Sequence, residues 1–271
     1  MVTMSNVWDR TTDVMRGRAG ALATIAALAL YLPAIVRDSV ALFATPGSIA
    51  FALVGAALSI LVTVVALWGQ LALIGIATDP ATSRTGAFAR ATARLPAALA
   101  VTIVAILVVL LLAIPLLAAV GLSGADLSAM RTGTMPEVSG GTAAFLAIYL
   151  LVVLILGLAI GVRMVLVNPV VLHERRGLAA YGRSWHLTRG LAWRLVGVVL
   201  LYIIVVGVAV SAAQFITGTV FGLLLDSTAA TAFLAAAVAG VVTTIFSVIA
   251  AVFSAQLYVA VTQRGVATVF A

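Results

Sequence analysis

Long apolar runs alternate with short polar stretches along the chain. Six runs stand out, at roughly Gly20–Leu42, Ser48–Thr78, Pro96–Leu122, Thr142–Leu172, Leu195–Leu225 and Ala229–Thr262. About 20 apolar residues suffice for a helix to cross a bilayer, so each run predicts one membrane span, and the longer ones predict tilt or protruding ends. Between the fourth and fifth runs lies a polar island, His173–Arg194, which holds five arginines and both histidines of the chain. Ser123–Gly141 reads as a flexible polar loop, and Asp226 to Thr228 as a tight turn.

Composition agrees with this pattern. The chain has 271 residues, of which 64% are hydrophobic and 8% charged. A water-soluble surface needs about 25% charged residues, which excludes an ordinary soluble domain. The expected fold is therefore an all-α polytopic bundle forming one domain over residues 1–271. The segment before the first span is long and mixes Asp9 and Asp13 with Arg10, Arg16 and Arg18. With so long a first apolar run it predicts a retained span and not a cleaved leader. There is no cysteine, which removes disulfides, thiolate metal sites and cysteine nucleophiles.

Charge sets the expected orientation. Arg10, Arg16 and Arg18 precede the first span, and Arg84, Arg90 and Arg94 lie between the second and third. Arg175, Arg176, Arg183, Arg189 and Arg194 lie between the fourth and fifth, and Arg264 follows the sixth. Only Arg37 and Arg131 fall on the other side, and Arg163 falls within a span. The positive-inside rule then predicts cytoplasmic termini and a cytoplasmic polar island in a bacterial inner membrane. The net charge of +7 reads as topology and attraction to anionic lipid. Nucleic acid is excluded as a partner, because no domain outside the membrane could carry it.

Polar residues inside the runs recur at a fixed step. Gln70, Arg163 and Gln256 are each 93 residues apart, and Phe88-Ala89-Arg90-Ala91 precedes Tyr181-Gly182-Arg183-Ser184 by the same step. Trp8-Asp9-Arg10-Thr11 supplies a third, less regular copy. This predicts a threefold repeat with units 1–78, 79–172 and 173–271, each an interfacial amphipathic helix followed by a two-span hairpin. Trp8, Met15 and Leu22 form one apolar stripe, Phe88, Ala91 and Leu95 a second, and Leu178, Tyr181, Trp185, Thr188 and Ala192 a third. Stripes of this kind beside arginines suit helices lying in the headgroup layer, with Trp8, Phe88, Tyr181, Trp185 and Trp193 as anchors. Pro96 is expected to start the third span, and Gly177 and Gly190 to bracket the third interfacial helix.

Candidate chemistry is sparse. Arg163 lies about nine residues from the end of its span, roughly 14 Å at helical rise. It either lines a phosphate- or carboxylate-binding interior or snorkels to the interface. Asn168-Pro169 follows it and is expected to interrupt the helix, either shaping packing or exposing polar backbone toward Arg163. Gln70, Gln214 and Gln256 are expected to hydrogen-bond between helices. Gly121-Leu122-Ser123-Gly124 has the spacing around an intramembrane serine-protease nucleophile, but both histidines lie on the opposite side. His173-Glu174 is too sparse for a metal site. No phosphate-binding glycine loop and no paired acids in the spans are present, so no enzyme activity and no cofactor are expected.

The island and the helix before it resemble the membrane domain found in some bacterial glycerophosphodiester phosphodiesterases. That family shows an N-P-x-x-x-x-E-x-x-G stretch, then an aromatic and R-S-W-x-L-T-x-G-x-x-W-R. The matching residues are Asn168, Pro169, Glu174 and Gly177, then Tyr181, Arg183, Ser184, Trp185, Leu187, Thr188, Gly190, Trp193 and Arg194. The soluble barrel that carries the chemistry in fused members has no counterpart in this sequence. The resemblance implies a membrane module with a lipid-related role and no hydrolase activity.

The leading expectation is a non-enzymatic module that binds or handles anionic phospholipid or a related phosphate-bearing metabolite. Arg163, Asn168, Arg183, Arg189, Arg194, Arg90 and Arg94 are the candidate contacts. The rivals are a permease-type subunit with a partner ATPase docked on the cytoplasmic face, and a structural membrane scaffold.

Overall fold

The computed structural model describes residues 3–41, 49–79, 81–124, 138–225 and 227–269, without the side chains of residue 41 and of residues 264–269. Most of the expected loop at Ser123–Gly141, with Arg131, and the centre of the turn at Asp226 lie outside the described residues.

Among the described residues the structure is helical and has no strand. Helix α1 (Met4–Ala26) passes through a π-helical turn (Ala27–Tyr31) into α2 (Leu32–Ala41). Then come α3 (Ile49–Thr78), α4 (Arg84–Leu122), α5 (Gly140–Met164), α6 (Val167–His173), α7 (Ala180–Leu187), α8 (Ala192–Leu224) and α9 (Thr228–Val269). Six stretches are long and apolar enough to cross a membrane: Met4–Val40, Ile49–Thr78, Arg84–Leu122, Gly140–His173, Ala192–Leu224 and Thr228–Gln263. The chain is a multi-pass membrane protein of the all-α class.

Local chemistry sets the helix ends. The side-chain oxygens of Thr3, Ser83 and Ser139 accept the backbone N–H groups of Asn6, Gly86 and Thr142, capping α1, α4 and α5. Helix α1 is bent at Arg18, whose backbone leaves helical geometry (φ −129°, ψ 19°). The Arg18 Nη1 donates to the carbonyls of Ile76, Asp79 and Thr82, three acceptors around the end of α3. A cation suits these groups, because carbonyls at a helix C-terminus lack intrahelical partners.

The fourth span breaks where Pro169 predicts. A proline ring clashes with the carbonyl four residues earlier, here Val165. Helix α5 ends at Met164 and α6 begins at Val167. Pro96 behaves differently from its expected role as a span start: α4 runs unbroken from Arg84 through Pro96 and Pro115. Ala87, Ala91 and Ala98 are all buried along this stretch, and close packing of that face keeps the helix intact. The second interfacial segment is therefore the first turns of a span, whereas the first and third are set off by the Arg18 bend and by Gly190 (φ +84°).

The core sits at one end. It is built from Leu22, Ile25 and Ala26 of α1, Leu71–Ile74 of α3, Ala87, Ala91, Ala98 and Val101 of α4, Val167 and Val170–Leu172 of α6, and Val248, Ala251, Val252 and Ala255 of α9. A second cluster joins Val7, Val162, Leu166, Leu195, Phe253 and Leu257. This is the end that holds most of the arginines, and Val7 and Leu257 bring the two terminal helices together there. Gln256 is buried, and its Nε2 donates to the Ala77 carbonyl, an interhelical bond of the expected kind. Gln70 and Gln214 make no hydrogen bond to any described residue, so that expectation fails for two of the three. Close approach of α3 to the π-helical turn depends on Gly69, where an added Cβ would lie 2.5 Å from the Ala29 Cβ.

Candidate functional site

The polar island folds back against the basic end of the bundle as an elbow. After α6, Glu174 ends the helix and Arg175 takes a left-handed conformation (φ 57°), which turns the chain. The buried face of α7 is Ala180, Ser184 and then Thr188 just beyond its end. Ala180 and Ser184 are offset by one position from the expected stripe residues Tyr181 and Trp185, and Thr188 belongs to both sets. The Ser184 hydroxyl donates to the Arg163 carbonyl at 2.6 Å. The break at Val165–Leu166 removes the helical partner of that carbonyl, so Ser184 replaces it and locks α7 onto the end of α5.

Arg163 is half-buried beside the elbow. Its guanidinium lies 4.3 Å from the centroid of the Trp185 ring. An arginine over an indole face gains about 0.5–2 kcal/mol, the more so when water is excluded. Trp185 is itself exposed on its outer side, so the pair forms part of the elbow's surface.

The other candidate residues separate into two groups. Arg183 Nε lies 3.0 Å from each carboxylate oxygen of Glu174, and Arg176 Nε lies 3.2 Å from the same group. The Tyr258 hydroxyl reaches Glu174 at 3.5 Å, and the Tyr258 ring stacks on His173 at 5.5 Å. His173 Nε2 is 2.9 Å from the Thr78 hydroxyl. Arg90 is likewise occupied, with Nη1 donating to Thr82 Oγ1 at 3.2 Å and 3.8 Å from Asp79. The charges of Arg90 and Arg183 are thus used within the protein. Arg94, Arg189 and Arg194 have no hydrogen-bond or ion-pair partner among the described residues, and Arg189 and Arg194 are exposed. Asn168 is half-buried on α6.

The aromatic anchors divide in the same way. Trp8, Trp185 and Trp193 are exposed, Trp193 at 86%. Phe88 and Tyr181 instead turn inward. Phe88 stacks on Trp68 with centroids 4.8 Å apart, and the Tyr181 hydroxyl donates to the Val101 carbonyl at 2.7 Å. Both rings pack on the main core, which corrects their reading as headgroup anchors.

Asp79 closes the turn between α3 and α4. Its Oδ2 accepts the Thr82 hydroxyl and its Oδ1 the Ala81 N–H. These two bonds, with help from the Arg90 and Arg18 charges, hold the carboxyl below its usual range. Asp79 and Glu174 each end a span and each face an arginine, Arg90 and Arg183, that lie 93 residues apart. Gln70, Arg163 and Gln256 keep that step without a shared role. Among the described residues no group of three or more metal-ligating side chains comes together.

Sequence reasoning missed Glu174 as the counter-ion of the elbow, Arg18 as the brace on α3, and Ser184 as the cap on the broken span. Compared with known proteins, the chain matches no family model, no curated protein and no solved structure.

Proposed function

We propose that the chain is a non-enzymatic membrane module that holds anionic phospholipid, or a related phosphate-bearing metabolite, at its basic end. In this reading it is a multi-pass protein of a bacterial inner membrane, with both termini and the elbow cytoplasmic. The observation that carries it is the exposed set Trp185, Arg189, Trp193 and Arg194 along the elbow. Two arginines without a hydrogen-bond or ion-pair partner among the described residues and two exposed indoles thus fall within ten residues of one segment. Arginines near an anionic membrane surface are worth about 1 kcal/mol each, and tryptophan favours the same interfacial depth. Arg94 adds charge from the neighbouring α4. The resemblance to the membrane domain of glycerophosphodiester phosphodiesterases points to the same lipid-related role.

Native mass spectrometry of the purified chain tests this. Anionic lipid should be retained, and most of it lost when Arg189 and Arg194 are both replaced by Gln. An unchanged lipid complement in that variant would overturn the reading. A co-purifying ATPase would favour a permease subunit instead.

A further inference from the structure

Two hollows share Ala19 in their linings, and neither is lined by Arg189 or Arg194. The first is an apolar groove of about 320 Å³ between α1 and α9. Its walls are Ala19, Ala23 and Ala27 on one side and Val241, Ile245 and Val248 on the other. The groove exists because the two helices are held at both ends and filled poorly between. At the basic end Trp8 meets Phe253, with centroids 6.5 Å apart, and at the far end the Tyr31 hydroxyl donates to the Ala237 carbonyl. Between these pins α1 offers mainly methyl groups, which leave the gap open. Thr244 is the one hydroxyl on the α9 wall, and it donates to the Gly240 carbonyl of its own helix, so the wall remains apolar.

The second hollow is a polar crevice of about 450 Å³ where α1 bends beside the α3–α4 turn. Arg16, Arg18, Thr82, Ser83 and Arg84 line it, and Ala19 belongs to both hollows. Arg18 is fixed by its three carbonyl acceptors. Arg16 and Arg84 are exposed and have no partner among the described residues. An apolar groove and a basic crevice thus share a wall residue on α1, at the end of the bundle that holds most of the arginines.

We propose that these joined hollows bind one phospholipid of the surrounding membrane, with an acyl chain along the α1–α9 groove and its phosphate against Arg16 and Arg84. The dimensions agree: Ala19 to Tyr31 is twelve residues, roughly 18 Å of helical rise. One leaflet is about half of a ~30 Å hydrocarbon core, so the groove is long enough for a single chain. Its volume lies at the lower end of ligand pockets, about 300–1,000 Å³. The π-helical turn at the deep end is an irregularity of the sort that accompanies binding sites. This proposal deepens the lipid reading above and gives it a second location, independent of Arg189 and Arg194.

The test uses the full chain in phosphatidylcholine nanodiscs with a minor share of phosphatidylglycerol, either lipid carrying a diazirine on an acyl chain. After irradiation, label should concentrate on residues 19–31 and 241–248 over the other lipid-facing stretches. Phosphatidylglycerol should label them roughly 25-fold better than phosphatidylcholine, from roughly fivefold for each of the two arginines at an anionic headgroup. Ala23→Phe should fill the groove and remove that label. Arg16→Gln with Arg84→Gln should abolish the preference between the two lipids while groove labelling persists. Label spread evenly over all spans of the unaltered protein, which needs no variant to fold, overturns the site. If anionic lipid that depends on Arg189 and Arg194 is still retained, the broader reading stands without it. Label in the groove with no lipid preference overturns the headgroup assignment. Loss of the preference on adding soluble glycerol phosphate overturns the membrane lipid as the source of the phosphate.

Discussion

Gly69 and Gly55 lie on the same helix, fourteen residues apart, and meet different surroundings. A methyl group added at Gly69 would collide with Ala29, whereas one added at Gly55 would meet nothing within 4 Å. The contrast holds for the whole molecule. At the basic end Leu71, Leu73, Leu166, Leu195 and Leu257 are fully buried. At the opposite end Leu53, Leu111, Leu117, Leu154 and Leu223 are exposed. Both halves are made of the same apolar residue types. The basic half differs in that small residues such as Gly69 are met by a neighbouring helix, and in the ties that Arg18, Ser184 and Gln256 make between segments. In a membrane, lipid tails satisfy apolar side chains as well as protein does, so packing and hydrogen bonds alone favour helix association. The half where these contacts form is closed, and the half where glycines such as Gly55, Gly121 and Gly157 meet nothing within 4 Å leaves its leucines exposed.

The largest expected effect comes from cutting the closed core. Leu73→Ala should cost roughly 1–3 kcal/mol, below the usual range for soluble cores, because the transfer term falls away in lipid and the cavity term remains. Leu111→Ala should stay within about 0.5 kcal/mol. Steric-trapping measurements of unfolding in lipid discs would compare them, and equal costs would break the contrast between the ends. Gly69→Ala should follow, at about 1–2 kcal/mol from overpacking against the π-helical turn. Gly55→Ala should be neutral or slightly stabilising, since alanine is the better helix former. Thermal unfolding of the two variants in detergent gives this comparison directly.

The closed end is also where the sequence was hardest to read. All six spans were legible, because twenty apolar residues carry their own signal. The break before Pro169 was legible too, because a proline's clash is local. Pro96 misled for the opposite reason: the buried face formed by Ala87, Ala91 and Ala98 keeps α4 continuous, and that is a tertiary fact. The arginine-rich segments were visible as a set, but their division was not. Arg183 and Arg90 looked equivalent to Arg189 and Arg194 until Glu174 and Asp79 were found beside them. Nine residues separate Glu174 from Arg183, and a turn through Arg175 brings them together, which no helical spacing rule anticipates. Most residues that carry the family resemblance, including Pro169, Glu174, Ser184, Thr188 and Gly190, build the elbow itself. Trp185, Trp193 and Arg194 are motif members with large exposed side chains.

Ion pairs extend the comparison to smaller effects. Glu174 serves Arg183 and Arg176 together, with its side chain only 17% exposed. Glu174→Gln should leave two guanidinium groups without a counter-charge and cost about 1 kcal/mol, less than a fully buried charged bond would. The opposite end has its own pair, Arg37 with Asp38 at 2.8 Å, between sequence neighbours on the surface. Asp38→Asn should change stability by less than about 0.5 kcal/mol. Chemical denaturation at low and high salt separates the two, since only the exposed pair should weaken appreciably as salt rises.

The smallest expected effect is a dependence on acid at the α3–α4 turn. The Thr82 hydroxyl and the Ala81 N–H, followed by the nearby arginines, hold the Asp79 carboxyl below its usual range. A carboxylate whose folded pKa is depressed contributes stability that is fully present above its unfolded value, about 3.9. That contribution is lost as pH falls through the lower folded value, when the proton weakens both bonds to the carboxyl and removes the charge that faces Arg90. Asp79→Asn should therefore lower stability at neutral pH slightly and flatten the acid limb of the stability profile. The Arg18 brace should persist in the variant, because it rests on backbone carbonyls and not on the carboxylate. Thermal unfolding followed from neutral pH down to about pH 3 reads both terms, across the unfolded carboxylate range. An acid limb as steep in the variant as in the unaltered chain would mean that this turn contributes nothing to closing the basic end. The closure would then rest on the Glu174 elbow, the Arg18 brace, the Gln256 bond and the Gly69 contact.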